Sequence, residues 1–213
     1  MSAALVEPST TAVVTMECQR GVVGDLAGFP ELGDAVRRTG MLDRAAALLD
    51  AARAAGVFVV HATAVFREDR VGSSSNAPLL RRAASMPGQL LEGSPAAELA
   101  PELGFTASDA VSPRRHGVSP FSGTDLDAIL RSRGVRTVVG IGASLNVGVM
   151  GLAIEAVNLG YEVVLPTDAV VAVPPEAAAD LLAVSLRALC TVSNVDELRR
   201  IWSRPTADAP TRG

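Results

Sequence analysis

Val138–Val170 reads VVGIGASLNVGVMGLAIEAVNLGYEVVLPTDAV. With the two residues before it, Arg136–Gly142 (RTVVGIG) is apolar and β-branched, the composition of a strand buried on both faces. Asn146–Leu159 reads as a helix stopped by Gly160, a residue suited to the turn that closes a helix. Tyr161–Pro166 (YEVVLP) is a strand again. Strand, helix and strand in such close order form a βαβ unit, which requires parallel strands with the helix laid across one face.

The same alternation extends outward. Upstream lie strands at Thr11–Glu17 (TAVVTME), Val57–His61 (VFVVH) and Asp109–Ser112 (DAVS). Glu31–Ala55 reads as a helix closed by Gly56. Thr124–Arg133 reads as another, with Thr124 a possible N-cap and Gly134 the stop. Downstream, Pro175–Leu189 is a helix with Pro in its first turn, Cys190–Ser193 a short strand and Val195–Ser203 a terminal helix. Arg204–Gly213 holds two prolines and few apolar residues and is expected to fray. The expected architecture is α/β: a doubly wound, mainly parallel six-stranded sheet with helices on both faces, in a single domain over 1–213 with its core at about 11–202. Residues Thr63–Gly104 break the rhythm with SSSN, several Pro and Gly, and only short apolar clusters at Leu79–Leu80 and Leu90–Leu91. A loop that long is a functional lid or a tolerated surface insertion.

Of the 213 residues, 48% are hydrophobic and 20% charged, ample for a buried core. The net charge of -4 argues against nucleic acid or an anionic membrane as partner. Every one of the 19 basic residues is Arg, so no step needing a lysine ammonium is available. Cys18 and Cys190 form no CxxC pair and no disulfide framework. The opening MSAALVEPSTT lacks the basic and apolar regions of a signal peptide. No apolar run approaches the roughly 20 residues of a membrane span, and the cytoplasm is the expected location.

In a parallel α/β sheet ligands bind at the carboxyl ends of the strands, where strand order reverses. That directs attention to Glu17, His61, Arg114–Phe121, Ser144–Gly148 and Asp168. GIGASLNVG (Gly140–Gly148) falls short of a dinucleotide fingerprint: GxGxxG needs glycine at 145, which is Leu, and it follows the fourth strand. Its small residues still suit a close backbone approach at a helix N-terminus that can hold an oxyanion. Glu17 sits partly desolvated at the rim of the sheet; burial raises a carboxyl pKa, which suits a general acid or base. The alternative is a structural carboxylate paired with an arginine such as Arg20. His116, in SPRRHGVSPF, is a candidate acid, base or substrate donor, or else a solvated loop histidine. Arg114 and Arg115 could grip a carboxylate, or lie on a solvated face. His61 has only Glu68 and Asp69 nearby, at no ligand spacing, and reads as a satisfied core histidine. Cys190 reads as core, and Cys18 lacks an evident base.

Three segments carry a family resemblance. VVTMECQRGVVG (Val13–Gly24) resembles a strand ending in Asp-x-Gln. HGVSPFSGTDLDAIL (His116–Leu130) resembles Lys-x-x-Ser-x-Phe-x-x-Thr-x-Leu. Val138–Val170 resembles the segment that holds a nucleophile and its helix. Together they are similar to the isochorismatase-like hydrolases, the cysteine hydrolase superfamily, over about Thr11–Trp202. The resemblance places the family's Asp, Lys and Cys on Glu17, His116 and Gly148. All three differ. It also implies substrate contacts from Gln19, Arg115, Phe121, Ala143, Ser144 and Asn146, a cis peptide between Ala143 and Ser144, and a homodimer or homotetramer. Glycine at 148 cannot form the covalent intermediate of the amidase members. The resemblance therefore implies a hydrolase for a small metabolite with Glu17 as general acid/base and His116 as partner, cleaving a vinyl ether or a C–N bond. No cofactor or metal is expected. The alternative is a catalytically inactive relative that binds a ligand or partner.

Overall fold

The computed structural model describes residues 1–204, so the expectation for the tail beyond Arg204 lies outside the described residues. The chain runs β1 (Thr11–Met16), α1 (Pro30–Thr39), α2 (Met41–Ala54), β2 (Phe58–Ala64), α3 (Pro78–Ser85), β3 (Ala110–Arg114), α4 (Leu126–Ser132), β4 (Thr137–Ala143), α5 (Met150–Asn158), β5 (Glu162–Pro166), β6 (Val170–Val171), α6 (Ala177–Val184), β7 (Thr191–Ser193) and α7 (Val195–Trp202). The strands lie in the order β3-β2-β1-β4-β5-β7, and every pairing is parallel.

The sheet has seven strands, not six. β6 is only two residues long and pairs with Gly142 and Ala143 at the end of β4, too short to leave a period in the sequence. The helix expected over Glu31–Ala55 is two helices. Gly40 takes φ +65 and its N–H caps α1 on the Val36 carbonyl, which turns the chain before α2 begins. Before α5 comes one π turn, Leu145–Val149. The region Thr63–Gly104 contains α3 and two short 3₁₀ turns, Pro95–Ala97 and Pro101–Leu103. Among the described residues no helix is long and apolar enough to cross a membrane.

Each face of the sheet carries its own core, which is why the strands read as continuous apolar runs. Val13, Val59, Val139 and Val164 pack with α1, α2 and α7 on one side. Ala12, Val14, Val138 and Leu165 pack with α4 and α5 on the other. From β1 the chain steps outward to β2 and β3, then returns to β4 on the opposite side of β1. The reversal point is therefore the gap between β1 and β4. Met16 pairs with Gly142 there. Gly142 has φ +110, and a Cβ on it would strike the Met16 carbonyl oxygen, so only glycine lets the two strands end this close together.

Candidate active site

Glu17 is the first residue past β1. Its N–H still donates to the Ala62 carbonyl at 2.9 Å, but its φ is +50. A non-glycine residue in that left-handed region costs of order 1–3 kcal/mol and is held by its surroundings. The side chain lines a cavity of about 430 Å³ over the carboxyl ends of β1 and β4. Arg114, the last residue of β3, reaches across the end of β2, and its Nη2 forms an ion pair with Glu17 Oε1. The two side chains are 6% and 18% exposed. Arg114 Nη1 also donates to the Gly117 carbonyl at 2.8 Å. Burial pushes the guanidinium down to about 10, so it remains a cation at neutral pH. A guanidinium at this position favours the carboxylate of Glu17 over the carboxylic acid.

The β4 end completes the floor. The Ala143–Ser144 peptide is cis, and Ser144, Asn146 and Gly148 line the cavity. The Asn146 amide clamps Val173, donating to its carbonyl at 3.2 Å and accepting from its N–H at 3.4 Å. Gly148 is buried in the π turn, and a Cβ there would lie 2.9 Å from the Ala143 carbonyl oxygen and 2.9 Å from Met16 Cε. Overhead, α3 contributes Leu79, Leu80 and Ala83, and the segment on either side of it adds Phe66 and Leu90.

Of the residues singled out in the sequence, Glu17, Arg114, Ser144, Asn146 and Gly148 meet at this cavity. The others lie elsewhere. His116 is half-buried and does not line the cavity; its ring lies over Gly123. The base beside Glu17 is Arg114. Arg115 is turned outward onto Glu92 at 3.0 Å. Phe121 is buried in the α4/α5 core, 6.1 Å from the Tyr161 ring. Ala143 is buried beneath the turn. Gln19 is fully buried as a fastener: its Nε2 donates to the Ala64 and Ala97 carbonyls at 2.9 and 2.8 Å, and its Oε1 accepts from the Ala64 N–H at 2.8 Å. Asp168 accepts from Arg44 and from the Val195 N–H, away from the cavity. Arg20 pairs with Asp25 and Glu98 rather than Glu17. The signal for Arg114 was the length of β3: ending that strand at Arg114 rather than Ser112 makes Arg114 a strand-end residue like Glu17.

His61 is buried between Thr15 Oγ1, 2.9 Å from its Nδ1, and Asp109, 3.4 Å from its Nε2. Burial holds it below its ordinary value. Burial also pushes the thiols of Cys18 and Cys190 up, to about 12 and about 11, which leaves both protonated and unreactive. Among the described residues no cluster of three or more His, Cys, Asp or Glu is placed to hold a metal ion.

Comparison with known proteins shows the family and the fold. The family model described as the isochorismatase domain matches residues 11–197. The chain belongs to the isochorismatase family. Among isochorismatase-family relatives, the ureidoacrylate amidohydrolase RutB of Rhizobium rhizogenes is 34% identical over 179 residues, 76% of this chain and 71% of that protein. The uncharacterized isochorismatase family protein YecD of Escherichia coli O157:H7 is 35% identical over 172 residues, 75% of this chain and 79% of that one. The solved structure of an isochorismatase family protein from Desulfovibrio vulgaris superposes with a TM-score of 0.78 at 28% identity, covering 92% of this chain and 99% of that one. The parallel sheet with helices on both faces is thus the isochorismatase-like hydrolase fold.

Proposed function

We propose that this isochorismatase-family hydrolase cleaves a C–N bond of a small carbonyl compound without a covalent intermediate, using water as the nucleophile and Glu17 as the general base. The observation that carries the reading is the Glu17–Arg114 ion pair. A carboxylate held charged at the cavity floor accepts a proton; it is poorly prepared to donate one to an enol carbon, which weighs against vinyl-ether cleavage. Glu17 takes a proton from water, and the water oxygen attacks the carbonyl carbon. Negative charge builds on the carbonyl oxygen, where backbone N–H groups of the Ala143–Gly148 turn, at the start of α5, would face it. The proton held by Glu17 passes to the nitrogen as the C–N bond breaks. Arg114 is a positioning residue that keeps Glu17 ionised and in place. The 34% identity to a ureidoacrylate amidohydrolase supports the choice of C–N chemistry.

The test is ammonia release from a panel of primary amides and ureides. Glu17→Gln is expected to lower turnover about 10²–10⁴-fold, the usual contribution of a general base. Full turnover by Glu17→Gln would sink the proposal. If the native chain turns over no amide, ureide or vinyl ether while one of them raises its melting temperature, it is a catalytically inactive binding relative. The same reading includes a homodimer or homotetramer. It is supported by α6, which buries none of its own residues and leaves Val184 79% exposed. Light scattering of the purified chain tests it.

A further inference from the structure

Resting on the hydrolase reading above, we infer that the substrate is a neutral molecule with an apolar group, an alkyl chain or ring, on its carbonyl head. Three observations point the same way. First, beyond Glu17, Ser144 and Asn146 at the sheet edge, most of the cavity lining is apolar, with Phe29, Leu32, Phe66, Leu79, Leu80 and Leu90 among it. Second, α3 buries none of its residues although Leu79, Leu80 and Ala83 face the cavity. The apolar face of α3 is at most half-buried by its own chain, and an apolar ligand in the cavity would cover the rest. Third, the charges are already spent. Among the described residues two arginines line the cavity. Arg114 is paired with Glu17, and Arg82 is paired with Glu31 at 3.3 Å while lying 4.6 Å over the Phe29 ring. The wall thus carries two carboxylates and two guanidiniums, and among the described residues no free cation faces it. A substrate carboxylate placed against α3 would be desolvated without a partner, or would have to break one of the two pairs.

A cavity of about 430 Å³ is at the small end of the range for small-molecule sites, enough for a carbonyl head and a short tail. Each methylene buried against α3 is expected to tighten binding about fourfold, equivalent to about 0.8 kcal/mol, until the space is filled.

Methyl ketones test the inference separately from catalysis, because they present the carbonyl and have no bond to hydrolyse. Calorimetric titration of the native chain with 2-butanone, 2-pentanone and 2-hexanone should show the fourfold steps. Levulinate, close to 2-hexanone in length but anionic, should bind at least tenfold more weakly than 2-hexanone. Leu80→Arg, which places a cation on the exposed lid helix, should close that gap at least tenfold. Affinity independent of chain length, levulinate binding as tightly as 2-hexanone, or no ketone binding at all would overturn the inference. Ketones that follow the series while no amide is turned over would leave the inference standing and remove the hydrolase reading. Amide turnover with levulinate preferred would do the reverse.

Discussion

Arg114→Met removes the cation beside Glu17 while keeping an unbranched stem in its place. Stripping one partner from a buried ion pair costs about 3–5 kcal/mol, because the other charge is left desolvated. Glu17 retains 18% exposure toward the cavity, so the lower end, about 3 kcal/mol, applies. The Gly117 carbonyl also loses its 2.8 Å donor, which adds about 1 kcal/mol. The single variant should therefore lose about 4 kcal/mol, or roughly 8–16 °C in melting temperature for a chain of this size. Glu17→Gln should lose about 2 kcal/mol, since the amide oxygen still accepts from the guanidinium. The double variant leaves neither charge uncompensated, so its loss should fall about 2–3 kcal/mol short of the sum. Urea unfolding at neutral pH measures all three. Losses that add within about 0.5 kcal/mol would refute the pairing. His116→Ala is the control: it should cost less than about 1 kcal/mol and show no coupling to Glu17. In an activity assay, Arg114→Met should move the acid limb of the pH–rate profile to higher pH, a shift that a merely structural arginine would not produce.

Gly148→Cys puts a thiol where the family resemblance places a nucleophile, yet its Cβ would meet a backbone oxygen at 2.9 Å. It should cost about 1–3 kcal/mol by overpacking and yield no acyl-enzyme in an intact-mass measurement; a stable variant with a burst phase would contradict this. Gln19→Leu strands the Ala64 N–H and the Ala64 and Ala97 carbonyls, and should cost about 3 kcal/mol or more in urea unfolding. His61 lies below 6.5 because burial disfavours the imidazolium. The unfolded chain therefore binds the proton first. His61's contribution to stability is full above 6.5 and declines as pH falls toward the folded value, with a slope of up to about 1.4 kcal/mol per pH unit. His61→Gln should flatten the fall in melting temperature between pH 7 and 5, and an unchanged slope would count against the assignment.

The order of elements was legible because burial on both faces writes each strand as an unbroken apolar run, as in TAVVTM of β1 and VVGIG within β4. Parallel pairing then follows from the helices between the strands, and with it the edge where a site must lie. That reasoning needs only positions along the chain. It places Glu17, Ser144 and Gly148 correctly at the reversal point. It fails where the decision depends on a side chain's reach. Arg114, Arg115 and His116 are consecutive, and one residue of difference in where β3 ends decides which of them faces Glu17. Gln19 fails for a related reason. Two residues past Glu17, beyond the strand, the chain has turned, and its amide faces the Ala64 and Ala97 backbone instead of the cavity. The break at Gly40 is invisible because a glycine within a helical pattern looks the same whether it is tolerated or caps.

Gly148 bears most directly on what the site has become. In the sequence it is only a missing thiol, which fits a decayed enzyme as well as a different one. In the fold the space a side chain would need is taken by the Ala143 carbonyl and the Met16 thioether chain. A simple loss of cysteine would leave a void about the size of its side chain. Here neighbouring atoms already lie within contact of that position, while the carboxylate beside it is buried, paired and open to the cavity. Glu17 is also held at φ +50, a left-handed conformation costly for a residue with a side chain, with its carboxylate on Arg114. The proposed use of water as the nucleophile rests on these two features, a close-packed glycine at 148 and an ion-paired Glu17 that faces the cavity.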